Sequence, residues 1–191
     1  MKTILIIGGA RSGKSSFAQE LALKSGKAVL FVATAEAGDE EMRRRIEAHR
    51  KSRPTAWRTL EVTSHIGVAI RQRPGTAEVV ILDCITLLVS NILGQYVGKS
   101  DEIDVSLVEK EVIGEITALA DCIAHVDASF IIVTNEVGLG LVPANRVGRL
   151  YRDLLGKANQ LLAKQADEVY LMVAGLPVRI KPPLSKTEIT L

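Results

Sequence analysis

Residues 4–17 read ILIIGGARSGKSSF, an apolar run that breaks into a glycine-rich loop and then into helix-period sequence. Gly8-x4-Gly13-Lys14-Ser15 is a complete Walker A pattern, and it constrains the fold more than any other stretch. Its chemistry works only where a buried strand delivers the loop to the start of a helix. There the glycine-rich backbone turns its N–H groups onto phosphate oxygens, and the helix dipole favours the anion. Lys14 then reaches the β- and γ-phosphates, and Ser15 offers its hydroxyl to Mg²⁺. A strand–loop–helix unit of this kind needs a sheet around it, which the rest of the chain must supply.

Five apolar, β-branched runs answer that need: Lys2–Ile7, Ala28–Thr34, Glu78–Ile85, Ser129–Thr134 and Glu168–Ala174. Near-continuous hydrophobicity over short lengths suits strands covered on both faces, as in a parallel sheet. Helix-period stripes lie between them. Val105, Val108, Val112, Ile116, Leu119 and Ile123 make one, and Val147, Leu150, Leu154, Ala158 and Leu161 another, beginning shortly after Pro143. The expectation is one α/β domain over residues 1–181 with a mostly parallel sheet flanked by helices, followed by a tail at 182–191. Val178–Lys181 is expected to close a terminal hairpin, and Gly94–Asp104 to form a mobile loop.

The longest apolar runs, at 4–7 and 78–85, fall far short of the ~20 residues that span a membrane. Met1-Lys2 leads directly into strand-like sequence without the pattern of a secretion signal. Cys84 and Cys122 stand in apolar stretches without a CxxC partner and read as buried free thiols, which points to a cytoplasmic protein. No Asn-Lys-x-Asp stretch reads guanine as in switch GTPases, and no Asp-Arg-Tyr/Phe lid pattern of nucleoside monophosphate kinases occurs.

A P-loop needs a second carboxylate near its metal. VVILD ends a strand-like run at Asp83, in the usual Walker B form, and Asp83 is the candidate Mg²⁺ partner beside Ser15. An aspartate that simply terminates a strand is the other reading. TNEVG places Asn135 and Glu136 at the end of the next strand, where open α/β sheets bind ligands, with loop capping the alternative for Asn135.

Charge is unevenly spread. RRRIEAHRKSRPTAWR, from Arg43 to Arg58, sets seven basic side chains against one acid, Glu47, and so carries +6 in a chain of formal charge +2. Met42, Ile46 and His49 share one helix face, so His49 could be a half-buried histidine on an amphipathic helix. Arg45 and Arg53 lie four residues either side of it, and such cations would hold a polyphosphate against a nucleophilic imidazole. A nucleic-acid surface is the competing use, but Trp57 is the only aromatic in the window, and base-stacking platforms need more.

These segments together resemble the bifunctional adenosylcobinamide kinase/adenosylcobinamide-phosphate guanylyltransferases. The likeness runs in order through GGARSGKS, FVAT (31–34), DEEMRRRIEAHRKSRP (39–54), WRTLE (57–61), LDCIT (82–86), VTNEVGLGLVP (133–143) with NR (145–146), and ADEVYLMVAG (166–175). The resemblance implies a RecA-like P-loop NTPase fold, Mg²⁺, and ATP or GTP as substrates of two reactions at one site. A triphosphate phosphorylates the aminopropanol hydroxyl of adenosylcobinamide. GTP then guanylates a histidine, and GMP passes on to give adenosylcobinamide-GDP. Carried onto this sequence, the acceptor is His49, with Lys14 catalytic beside it. The nucleotide contacts fall on Gly8, Gly9, Ala10, Arg11, Ser12, Gly13, Lys14 and Ser15, on Thr34, Ala35 and Glu36, on Arg50, Lys51, Ser52 and Arg53, and on Glu61 and Asp83. The resemblance also implies a corrinoid partner, no nucleic acid and a homo-oligomer, a trimer. Two other functions stay open on the residues alone: a single-activity P-loop kinase with a structural His49, and a RecA-like NTPase acting on nucleic acid.

Overall fold

A computed structural model describes residues 1–72, 75–98 and 103–181, the Arg45 side chain excepted. Seven strands make one sheet among them: β1 (Thr3–Gly8), β2 (Val29–Ala33), β3 (Arg58–Glu61), β4 (Val79–Asp83), β5 (Ser129–Val133), β6 (Glu168–Val173) and β7 (Leu176–Lys181). Their order in space is β3-β2-β4-β5-β1-β6-β7. All neighbouring pairs are parallel except β6 with β7, which form an antiparallel hairpin. The helices are α1 (Lys14–Ser25), α2 (Glu40–Lys51), α3 (Ile66–Gln72), α4 (Ile85–Gly94), α5 (Val105–His125) and α6 (Arg146–Gln165).

The alternation of side chains along each strand divides the core in two. Leu60, Val32, Leu82, Ile132, Leu5 and Val169 are register partners across six strands and all face the larger cluster, beneath α3, α4, α5 and α6. Their chain neighbours Phe31, Ile81, Ile131 and Ile6 face a smaller cluster, closed by Ala18 and Ala22 of α1 with Phe17, Leu21 and Trp57 at its margin. β2, β4, β5 and β1 are therefore apolar at nearly every position, the pattern expected of a sheet covered on both sides.

Helix ends follow local chemistry. Asp39 caps α2 by accepting the Met42 N–H at 2.7 Å, acids fill the first turn and His49, Arg50 and Lys51 the last. Asp104 caps α5 through the N–H groups of Ser106 and Leu107; the Ser106 hydroxyl first, then the Leu107 N–H, holds its carboxyl below the usual carboxylate range.

The α/β reading and its five strands agree with this architecture, and three elements lay outside it. β3 has one buried residue, Leu60, so its edge position leaves little apolar signal. α3 has seven residues, too few for a periodic stripe. α4 is buried at Ile85, Thr86, Leu88, Val89, Ile92 and Leu93, and its apolar run continues that of β4. The strand expected to reach Ile85 accordingly ends at Asp83. The helix expected to begin after Pro143 starts at Arg146, where the Asn145 side chain caps it by accepting the Gly148 N–H. The terminal hairpin forms as Leu176–Lys181 against β6. Of the expected Gly94–Asp104 loop, residues 99–102 lie outside the described residues, as does the tail at 182–191.

Candidate functional site: a phosphate loop and a charged cleft

The sheet order places the loop after β1 between the carboxyl ends of β5 and β6, and both neighbours grip it. The Glu136 N–H donates to the Gly8 carbonyl at 3.0 Å, and the Gly175 N–H donates to the Ser12 carbonyl at 3.0 Å. Glycine is required here on two counts. Gly8 has φ +150°, and a Cβ on it would lie 2.7 Å from the Met172 carbonyl oxygen; Gly13 has φ +93° and would place a Cβ 3.2 Å from Gly175 Cα. Residues Arg11 to Ser16 line a concavity of about 280 Å³ opening at the start of α1. Lys14 is buried, and its ammonium donates to the Gly9 carbonyl at 2.6 Å. Burial lowers its pKa, while Cys84 and Asp83 pull the other way.

Beside this cradle opens a cleft of about 520 Å³. Ser15 reaches it from α1, Ala35, Glu36 and Ala37 from the end of β2, and Asp83, Cys84 and Thr86 from the end of β4. Met42, Ile46, His49, Arg50 and Arg53 reach it from α2 and the turn that follows. The Asp83 side chain is 11% exposed, and its buried Oδ2 has no hydrogen-bond partner. His49 faces it: Nδ1 lies 4.0 Å from Oδ2, with the His49 side chain 41% exposed and its ring edge-on to Phe31 at 6.5 Å between centroids. The Arg53 guanidinium stacks 3.8 Å above the centroid of Phe31, with buried Nε and Nη1 unpartnered. Desolvation lowers its pKa, against the pull of Asp83 and Glu61. Arg50 pairs with Glu61 on the rim.

Buried polar atoms without partners are rare in folded proteins. Here an anionic oxygen of Asp83 and two cationic nitrogens of Arg53 stand unpaired in one small volume. That combination suits a ligand bearing both signs of charge, such as a metal–polyphosphate. No group of three or more His, Cys, Asp or Glu among the described residues could hold a metal alone. Mg²⁺ takes few protein ligands and shares the rest with substrate phosphates and water. The Ser15 hydroxyl and the orphaned Asp83 oxygen fit that habit.

Of the residues expected at the nucleotide, Ser15, Ala35, Glu36, His49, Arg50, Arg53, Glu61 and Asp83 line the cleft, and Arg11, Ser12, Gly13 and Lys14 line the cradle. Gly8, Gly9, Ala10, Thr34, Lys51 and Ser52 line neither. The buried Thr34 hydroxyl bridges to β4, donating to the Cys84 carbonyl at 2.7 Å and accepting its N–H at 2.8 Å. Ser52 donates to the His49 carbonyl as α2 ends, and Lys51 is exposed on its last turn. Arg53 lies beyond α2, because the helix stops before Pro54; its place beside the cleft comes from Phe31, not from helical spacing. Asn135 lines the cleft and its backbone is held on both sides: its N–H donates to Thr86 Oγ1, and its carbonyl accepts from Asn159. Glu136 instead caps its own loop through the Gly138 N–H.

Sequence reasoning did not assign Thr63, Thr86, Leu87 or the buried Asn159 to the site. LDCIT held a signal for Thr86, a polar residue just past Asp83 at the start of an apolar helix. Cys84 was expected to be a buried thiol; it is half-buried and lines the cleft, and desolvation followed by the neighbouring Asp83 pushes its thiol up to about 11.

Comparison with known proteins adds three kinds of likeness. Residues 4–180 match the family model described as cobinamide kinase / cobinamide phosphate guanyltransferase. The bifunctional adenosylcobalamin biosynthesis protein CobU of Escherichia coli is 44% identical over 180 residues, covering 93% of this chain and 99% of that protein. CobU of Salmonella typhimurium is 41% identical over 180 residues, at the same two coverages. The bifunctional adenosylcobalamin biosynthesis protein CobP of Pseudomonas aeruginosa is 41% identical over 177 residues, covering 93% of this chain and 96% of that one. The crystal structure of the RadB recombinase superposes with a TM-score of 0.50 at 13% identity, over 89% of this chain and 73% of that one. That likeness concerns the fold alone.

Proposed function

Since this chain belongs to the cobinamide kinase / cobinamide phosphate guanyltransferase family, we propose that its one cleft serves both reactions in turn. In the first, the aminopropanol hydroxyl of adenosylcobinamide attacks the γ-phosphorus of ATP or GTP. A P–O bond forms, the bond to the nucleoside diphosphate breaks, and the hydroxyl proton is released. In the second, an imidazole nitrogen of His49 attacks the α-phosphorus of GTP, forming a P–N bond and releasing pyrophosphate. The cobinamide phosphate oxygen then takes the GMP, breaking the P–N bond and freeing the histidine.

The observation that carries this reading is the position of His49. It stands in the same cleft as Ser15 and Asp83, so a triphosphate seated at the loop lies within reach of the nucleophile. Backbone N–H groups of residues 8–15 and Lys14 bind the phosphates, and Arg53 and Arg50 bring positive charge to the His49 side of the cleft. Mg²⁺, held by Ser15 and Asp83 together with the nucleotide, would withdraw charge from the phosphates. Ala35, Glu36 and Glu61 complete the nucleotide's surroundings. Gly8, Gly9, Ala10, Thr34, Lys51 and Ser52 line neither cavity; for Thr34 we assign the support of Cys84.

The basic segment is poorly disposed for nucleic acid. Arg50 and Arg53 face the cleft, and Arg43 and Arg44 lie 3.6 and 3.4 Å from Glu40 of the same helix. No helix among the described residues is long and apolar enough to cross a membrane. We place the reactions in the cytoplasm. A homo-oligomer, a trimer, is part of the reading; the exposed Leu176, Val178 and Ile180 along β7 offer an apolar face for self-association, testable by sedimentation.

Incubation with α-labelled GTP tests the central step. Label should stay on the denatured protein, be lost in acid and survive base, as a phosphoramidate does. His49→Ala should abolish retention yet keep a substantial fraction of cobinamide phosphorylation, while His65→Ala and His125→Ala label normally. Retention by His49→Ala would misplace the carrier. Loss of both activities with thermal stability would make His49 a packing residue.

A further inference from the structure

A nucleotide seated in a cleft of about 520 Å³ would leave no room there for a corrin macrocycle. The macrocycle must rest outside and send in its aminopropanol arm, so its seat has to lie on the rim of the phosphate site. Corrin rings are amphipathic, with methylated apolar flanks and amide-bearing arms, and an apolar surface is what such a rim should present.

The loop from β5 to α6 presents one. It leaves the cleft at Asn135, and the next residue, Glu136, bonds the first glycine of the phosphate loop. Its backbone is pinned at both ends. Glu136 Oε1 accepts the Gly138 N–H at 2.7 Å, Val137 packs against the core, and Arg149 donates to the carbonyls of Pro143 and Ala144 at 3.0 and 2.6 Å. Between these anchors Leu139, Leu141 and Val142 are 84, 96 and 63% exposed. Residues 137–144, VGLGLVPA, carry no charge, so they are unsuited to a triphosphate. Three side chains on one loop also fall short of the roughly 800 Å² per partner that a stable protein interface buries.

We propose that Leu139, Leu141 and Val142 form the seat on which the apolar flank of the corrinoid substrate rests while its arm enters the phosphate site. This rests on the functional reading above and extends it to the second substrate. The anchored backbone holds the three side chains in place before binding, which reduces the ordering cost that a loose loop would carry.

The test is a triple variant, Leu139→Ser, Leu141→Ser and Val142→Ser, that keeps Gly138, Gly140 and Pro143 so the loop retains its turns. Equilibrium dialysis with adenosylcobinamide, followed by its colour, reads corrinoid binding directly, and α-labelled GTP reads the nucleotide half alone. Corrinoid Kd should rise about tenfold or more, and the KM for cobinamide with it, while kcat at saturation, label retention and sedimenting mass stay at wild-type values. An unchanged Kd overturns the assignment. So does a change in mass, which would make the loop a contact between copies, or a parallel loss of label, which would place it in the nucleotide site. Failure of the wild-type protein to bind the corrinoid would instead sink the functional reading.

Discussion

The two halves of the cleft are built by different means. The phosphate loop is backbone architecture: Gly8 and Gly13 hold positive-φ, crowded positions, main-chain bonds to Glu136 and Gly175 tie it to the strands on either side, and Lys14 is buried behind it. The His49 half is side-chain architecture. Among the described side chains of α2, Met42, Ile46 and His49 are half-buried and the rest exposed; its contacts with the cleft include the edge of Phe31 and the Arg50–Glu61 pair, with the Arg53 stack just past its end. The difference matches what the proposed function asks of each half. A phosphate site gains most from donors fixed in advance, which lose no freedom when the ligand arrives. A carrier that accepts a group from one substrate and gives it to another cannot be packed away from either.

Lys14→Ala should have the largest effect, because it strikes the half proposed to serve both reactions. Phosphorylation and guanylylation should each fall by roughly 10²–10³. Burial disfavours the charged ammonium, so the melting temperature should hold or rise. Guanylylation surviving at wild-type rate would require a second nucleotide site and dissolve the comparison.

Asp83→Asn sits at the seam between the halves. It keeps the side chain's size and removes the charge assigned to Mg²⁺. Both activities should fall about 10–100-fold and recover partly at raised Mg²⁺. Wild-type Mg²⁺ dependence in the variant would reduce Asp83 to a strand-end residue.

Arg53→Ala sharpens the contrast by touching the side-chain half alone. Label retention should drop about tenfold, with cobinamide phosphorylation affected less, because the guanidinium and the His49 ring both lie against Phe31. Its stacking on Phe31 is worth ~1 kcal/mol, so a small loss of stability is expected. Equal damage to both reactions would show that the halves are not separable.

The smallest effect concerns pH. The Cys84 thiol is raised from an ordinary 9.0 to about 11 in the folded protein, so folding favours its protonated form. That contribution is complete below pH 9 and is lost as pH rises from 9 to 11. Denaturant titrations should show stability declining across that window, with a shallower slope for Cys84→Ala. Identical slopes would mean the thiol titrates alike folded and unfolded.

Legibility followed the same division. The phosphate loop could be read because its chemistry is local: strand, glycines, lysine and hydroxyl stand in consecutive positions, and each constrains its neighbour. The helical face of Met42, Ile46 and His49 and the end of β4 at Asp83 were equally visible, since spacing and apolar runs record them. β3 and α4 were not visible, one for having a single buried residue and the other because a helix buried on most sides reads like the strand it follows. Arg53 stood four residues from His49 in sequence, yet it lies near the cleft by stacking on a residue of β2.

Sequence by itself determined the phosphate loop, the alternation that builds a parallel sheet, and the presence of a histidine among cations, because short-range sterics and periodicity decide these. Only the tertiary structure decided that His49 faces Asp83, that the Thr34 hydroxyl braces Cys84, and that Leu139, Leu141 and Val142 stand exposed on the loop that leaves the cleft at Asn135. Each of those depends on which strand ends are neighbours. That order is settled by packing two helical layers onto one sheet, a property of the whole chain that no window of it contains.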